Sequence, residues 1–83
     1  MIDVNSVKEQ IKDFIVQTAF VPKEKVQDDT KIFVEGIFDS MGFLSLINFI
    51  EDTYKFKAAD AELLEENFES VSAIVSFISR KVN

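Results

Sequence analysis

Gly36-Ile37-Phe38-Asp39-Ser40-Met41-Gly42-Phe43-Leu44-Ser45-Leu46-Ile47-Asn48-Phe49-Ile50-Glu51-Asp52-Thr53-Tyr54 reads as a bend, a cap and an apolar helix. From Ser40 onward, Phe43, Leu46, Ile47, Ile50 and Tyr54 recur at three- and four-residue steps, which stacks them along one stripe. Asp39 stands where an N-cap belongs, with a carboxylate to accept from the first free amides. Gly36 is the natural bend before it. The hydroxyl of Ser40 then falls in the first turn, at the mouth of the helix. A helix mouth is partly positive and holds unpaired N–H groups, so it tolerates phosphate. A serine there suits a phosphodiester link.

Upstream, Asp3 to Phe20 is amphipathic. Val4, Val7, Ile11, Phe14, Ile15 and Thr18 make one stripe, and Lys8, Glu9, Lys12 and Asp13 fill the other side. Asp3 or Asn5 serves as its cap, and Pro22 marks its exit. Val21 to Asp39 shows neither helical nor alternating periodicity and is long for a connection in a small domain. Val26, Ile32, Phe33, Val34, Ile37 and Phe38 call for burial, so this segment is expected to pin itself across the helices, with a short turn at Lys23–Val26. Asp28 to Asp39 has the length of a calcium loop, but Phe33 stands where its glycine belongs and Thr30 and Ile32 replace its ligands. Downstream, Asp60 caps a short helix over Ala61 to Glu65, with Leu63, Leu64 and Phe68 as its core contacts. Ser70 caps a final helix with Val71, Ile74, Val75, Ile78 and Val82 as its stripe.

Placed on this layout, Gly-x-x-Asp-Ser-Met-Gly followed by an apolar helix resembles the prosthetic-group site of the acyl carrier protein family. The resemblance covers nearly the whole chain and implies an all-α, four-helix bundle. Three main helices and one short one are expected, a long loop joining the first and second, the second and fourth packing parallel. It also implies that Ser40 carries a covalent 4′-phosphopantetheine, with Asp39 as its acidic neighbour. A phosphopantetheinyl transferase would attach the arm. Acyl- or aminoacyl-loading ligases and acyl-transferring enzymes would then load and unload it. The Asp-Ser-Met-Gly form is similar to D-alanyl carriers and to discrete carriers of specialised gene clusters. That leaves an acyl cargo, fatty or polyketide-like, beside an aminoacyl one.

Composition narrows the rest. The chain has 83 residues, one small domain over 1–83 with no room for a second core, and 47% of it is apolar. Without cysteine there is no disulfide frame, and without histidine no imidazole base; catalysis by this chain alone is not expected. A net charge of −6 makes nucleic acid a poor partner and basic enzyme patches a good one. No apolar run approaches about 18 residues, and the start of the chain lacks a signal pattern. A cytoplasmic monomer without metal is expected.

A step of about 100° per residue from Phe43 puts Met41, Ser45, Asn48 and Asp52 on the exposed side of the second helix, flanked by Leu44 and Glu51. Met41, Leu44, Asn48 and Glu51 are the candidate partner surface, and a flexible thioether suits several partners. Gly42 is assigned to the same face. The rival reading is a helical adaptor that binds proteins through Met41, Leu44 and Phe49, Ser40 only helping to cap.

Overall fold

Asp3 opens the first helix, its carboxylate accepting from the amides of Asn5 and Ser6 at 3.0 and 3.4 Å. The helix, α1, runs Val4–Ala19, and Asn5 lies inside it. The structure, a computed structural model, describes residues 3–82. The first two residues, part of the stretch read for a signal pattern, lie outside that range. Three further α-helices follow: α2 (Ser40–Tyr54), the one-turn α3 (Glu65–Phe68) and α4 (Val71–Val82). The expected all-α bundle of three long helices and a short one is what forms, with no strand among the described residues. α1 and α3 both pack on α4, and α2 touches α1 and α4.

Each helix buries the stripe its sequence announces, with local departures. Val7, Ile11 and Ile15 of α1 are buried, but Val4 in the first turn is half-exposed. From α2 come Leu46, Ile47 and Ile50, with Phe43 and Tyr54 half-buried. From α4 come Val71, Ile74, Val75 and Ile78, joined by Phe77. Ser70 caps α4, its hydroxyl accepting from the Ala73 amide at 3.2 Å. The short helix is displaced from its expected place. Asp60–Glu62 form a 3-10 turn instead, and α3 begins only at Glu65. Glu62 explains the break: its carboxylate takes the Ala59 amide at 2.8 Å and pairs with Lys81 at 2.9 Å, which fixes the turn before a helix can extend. Asp60 therefore lies within the turn rather than capping a helix.

The long connection is stapled down by its own backbone. Ile32 donates to the Glu69 carbonyl at 2.9 Å, and the Asp28 carbonyl accepts from Ser72 at 3.0 Å. That second bond satisfies one of the amides left open in the first turn of α4. A 3-10 turn forms at Lys23–Lys25, as expected. Val26, Ile32 and Phe38 are buried, and Phe33 and Ile37 are half-buried. Val34 departs from expectation at 77% exposed. Residues 32–36 wind into a turn, with Glu35 donating to the Lys31 carbonyl and Gly36 to that of Phe33; the winding turns Ile32 inward and leaves Val34 and Glu35 on the outer side. Gly36 completes the bend at φ 75°.

Eight of the nine phenylalanines form one chain of ring contacts. Phe49 stacks on Phe14 at 4.4 Å between centroids. Phe14 meets Phe38 edge-on at 6.4 Å, Phe38 meets Phe33 at 6.3 Å, and Phe33 meets Phe43 at 5.7 Å. Phe43 leads to Phe68 at 5.4 Å, then to Phe77 at 4.9 Å and Phe56 at 6.0 Å. Such offset and edge contacts add to the area they bury. The ninth ring, Phe20, ends α1 in the left-handed region at φ 57° and is 92% exposed. Phe49, offered above as an adaptor's contact, is half-buried, its ring stacked on Phe14 between α1 and α2.

Lys12 and Lys8 both reach Asp28, at 2.8 and 3.0 Å, tying the connection to α1. The bond from Lys12, then that from Lys8, holds the Asp28 carboxyl below its ordinary value. A depressed carboxyl contributes stability above its unfolded pKa, about 3.9, and that contribution is lost as pH falls through the folded value. Urea unfolding of the natural chain should therefore shift to lower midpoints between about pH 5 and pH 2 more steeply than that of Asp28→Asn. Parallel curves for the two would show the clamp adds nothing.

Candidate functional site

Asp39 builds the site from the backbone up. Its extended conformation sets the carboxylate over the start of α2, where it accepts from the Gly42 amide at 3.0 Å, while its carbonyl accepts from Phe43 at 2.9 Å. The amides of Ser40 and Met41 have no acceptor among the described residues. These are the open donors of a helix N-terminus, on the side where the helix dipole is positive. Ser40 is exposed between them. Its hydroxyl makes no hydrogen bond to the described residues, so the first turn does not depend on it.

Gly42 is not on the exposed face. It is buried against the Phe38 ring, and a Cβ there would sit 2.9 Å from Phe38 Cγ. That close approach lets the connection fold flat onto the first turn of α2, which brings Phe33 and Phe38 beside the serine. Stripe analysis cannot see this, because glycine offers no side chain to the pattern.

Beside Ser40 opens a cleft of about 400 Å³, lined by Phe33, Asp39, Ser40, Phe43, Leu63 and Glu65. Its walls come from the connection, the mouth of α2 and the chain entering α3. Phe33, Leu63 and Glu65 were not tied to the serine by anything in the sequence. Two lie in irregular segments, and which way such segments face is set by tertiary packing alone. A second opening of about 330 Å³ lies on the α1 side, lined by Ala19, Ile37, Phe38, Met41 and Ser45 among others.

Of the candidate partner surface, Met41 is 71% exposed and Leu44 57%, and Asn48 is exposed as well. Glu51 is placed differently. Its side chain is only 16% exposed, its carboxylate accepts from the Ala58 amide at 2.8 Å, and Lys57 lies 3.8 Å away. It clasps the chain leaving α2 and is not part of an open face.

The donor set fits a phosphodiester on Ser40: an exposed hydroxyl, two open amides and the positive helix end, with room beside them for a flexible arm. No group of His, Cys, Asp and Glu among the described residues could hold a metal ion. No helix of the described residues is long and apolar enough to cross a membrane.

Fold and site together define an all-helical bundle that presents one serine at the mouth of its second long helix, over an apolar cleft. A comparison with curated proteins adds a relative. The chain is similar to a protein of Akkermansia muciniphila named Acyl carrier protein, 28% identical over 76 residues, which span 92% of either chain. The resemblance drawn from Gly36–Gly42 to the acyl carrier protein family thus finds support along nearly the full length. No protein-family profile matches the chain.

Proposed function

We propose that this chain is an acyl carrier: Ser40 bears 4′-phosphopantetheine, and the domain presents an acyl group held on that arm to successive enzymes. The observation that carries the reading is the exposed Ser40 hydroxyl beside two unpaired amides at the start of α2. When bound, the arm supplies the thiol that holds the cargo as a thioester, a group this cysteine-free chain lacks. The chain's own work is to fix the serine, stabilise the phosphate and offer a surface. Asp39 holds the first turn, the amides of Ser40 and Met41 face the anion, and the partners supply the catalytic groups. Incubation with coenzyme A and a phosphopantetheinyl transferase should raise the intact mass by one 4′-phosphopantetheinyl group, with 3′,5′-ADP as the leaving group, mapping to the peptide that holds Ser40. An unchanged mass would end the carrier reading.

The cleft bears on the cargo. Phe33, Phe43 and Leu63 give it apolar walls, and each buried methylene contributes about 0.8 kcal/mol. An alkyl chain of about eight carbons would gain roughly 6 kcal/mol if fully covered, and an open cleft covers only part of it. Even about 1 kcal/mol shifts the melting temperature of a domain this small by about 4–8 °C. The octanoyl form should therefore melt higher than the unloaded pantetheinyl form. The alanyl form should not, since its ammonium is costly to cover. A rise for alanyl alone would transfer the assignment to the aminoacyl carriers.

A further inference from the structure

Ser40 stands between two openings of different character. The cleft toward α3 has apolar walls at Phe33, Phe43 and Leu63. The opening of about 330 Å³ on the other side is walled by the last turn of α1, the bend at Gly36 and the exposed row of α2. Asp39 and Met41, the chain neighbours of Ser40, both line it. From there the groove follows Met41 to Ser45, a step of four that stays on one side of the helix. Its free polar groups are neutral and come as both donors and acceptors. Among the described residues, the Ile37 amide donates to nothing, and the carbonyls of Gly36 and Ile37 accept nothing. Thr18 and Ala19 end α1, so no further turn supplies amides to their carbonyls, and no amide from elsewhere among the described residues reaches them. Thr18 and Ser45 add hydroxyls. Asp39 is the one charged side chain among the described residues of the lining, and its carboxylate is engaged with the Gly42 amide.

We propose that this groove is the resting place of the unloaded arm on Ser40, and that the arm leaves it for the cleft once an acyl chain is attached. The inference rests on the carrier reading. Below its phosphate, pantetheine is a neutral chain with two amides, a hydroxyl and a pair of geminal methyls. Each amide brings one N–H and one C=O, the mixture that Ile37, Gly36, Thr18 and Ala19 leave unmatched. In the cleft, Phe33, Phe43 and Leu63 would strip those amides of water and return no hydrogen bonds, which disfavours them there. Met41, 71% exposed at the near end of the groove, offers the methyls a flexible apolar contact. The phosphate stays at the mouth of α2, because the far wall is the carbonyl end of α1, where the helix dipole is negative. Tethering lets weak contacts suffice: a ligand on a short flexible link meets its site at an effective concentration on the order of millimolar. An acyl chain reverses the preference, since its methylenes gain most against the apolar walls across Ser40. The carrier thus shows its enzymes an occupied α1 side when unloaded and an empty one when loaded.

The test compares amide NMR spectra of the full chain before and after complete modification from coenzyme A by a phosphopantetheinyl transferase. Shifts beside Ser40 arise from the new bond itself, so Thr18 and Ala19, distant in sequence, are the reporters. Their amides should shift on modification, and the geminal methyls should show contacts to the Ala19 methyl, while Leu63 and Glu65 are unmoved. Ser45→Phe, at an exposed position, fills the groove; within that variant, modification should shift only the residues beside Ser40. Octanoylation of the natural chain's arm should return Thr18 and Ala19 to their unmodified positions and shift Leu63 and Glu65 instead. Shifts confined to the neighbourhood of Ser40, or appearing at Leu63 and Glu65 in the unloaded form, overturn the resting groove and leave the carrier reading standing. Thr18 and Ala19 shifts that survive Ser45→Phe or octanoylation overturn it equally. A natural chain that gains no mass ends both readings. Circular dichroism separates a filled groove from a lost fold in Ser45→Phe, and the comparison among the natural chain's three forms does not depend on that variant.

Discussion

Phe68→Ala is expected to lower the free energy of unfolding by about 3–5 kcal/mol, the range for removing a large buried ring. The ring is fully buried and sits mid-way in the aromatic chain, edge-on to Phe43 at 5.4 Å and to Phe77 at 4.9 Å. Its neighbours belong to α2 and α4 while Phe68 itself ends α3, so no single helix can shift to fill the gap. A chain this size has roughly 4–12 kcal/mol in total, which makes the loss a large fraction of it. The effect should reach the site as well. Phe43 lines the cleft beside Ser40, and Phe68 is what backs it. Urea unfolding followed by circular dichroism measures the change, with Phe20→Ala as the control. Phe20 is 92% exposed and should cost no more than about 0.5 kcal/mol. A loss of under about 1 kcal/mol for Phe68→Ala would mean that the site collapses around the gap.

The parts of this structure that were legible beforehand share one property: they depend on residues close in sequence. Asp39, Ser40 and the α2 stripe lie within one continuous helix, where spacing alone says which side chains stack. The caps at Asp3, Asp39 and Ser70 are likewise local. What was not legible needs a contact from elsewhere in the chain. Gly42 is buried because Phe38 folds back on it. Glu51 is withdrawn because the amide of Ala58, seven residues on, turns toward it. Phe49 lies off the predicted stripe, yet α1 brings Phe14 against it, so α2 buries a wider arc than one stripe suggests. The displacement of α3 has the same origin, since Lys81 on α4 holds Glu62 in its turn. The site divides along this line. The place of Ser40 in the first turn and the cap at Asp39 were readable, and the walls of the cleft beside them at Phe33, Leu63 and Glu65 were not.

Ser40→Ala is expected to abolish pantetheinylation completely while leaving the fold as stable as before. The two halves of that expectation have separate causes. On the carrier reading the hydroxyl is the acceptor of the transferred group, and no other serine of α2 shares its place beside the open amides. Stability is unaffected because the helix is capped by Asp39, whose carboxylate takes the Gly42 amide, and not by Ser40. Alanine is also the better helix former, by up to about 0.5 kcal/mol in a helix interior, so propensity adds no loss. Asp39→Ala supplies the contrast. It removes the cap and should cost about 1 kcal/mol, since the Gly42 amide then loses its partner. Two adjacent substitutions thus come apart, one ending modification at full stability and the other lowering stability. The adaptor alternative predicts otherwise: with Ser40 as a helper of the cap, its removal weakens the helix and no mass is ever gained. Intact mass and urea midpoints, taken on the same two variants, decide between them. An adduct on Ser40→Ala, mapped to Ser45 or elsewhere, would displace the site assignment.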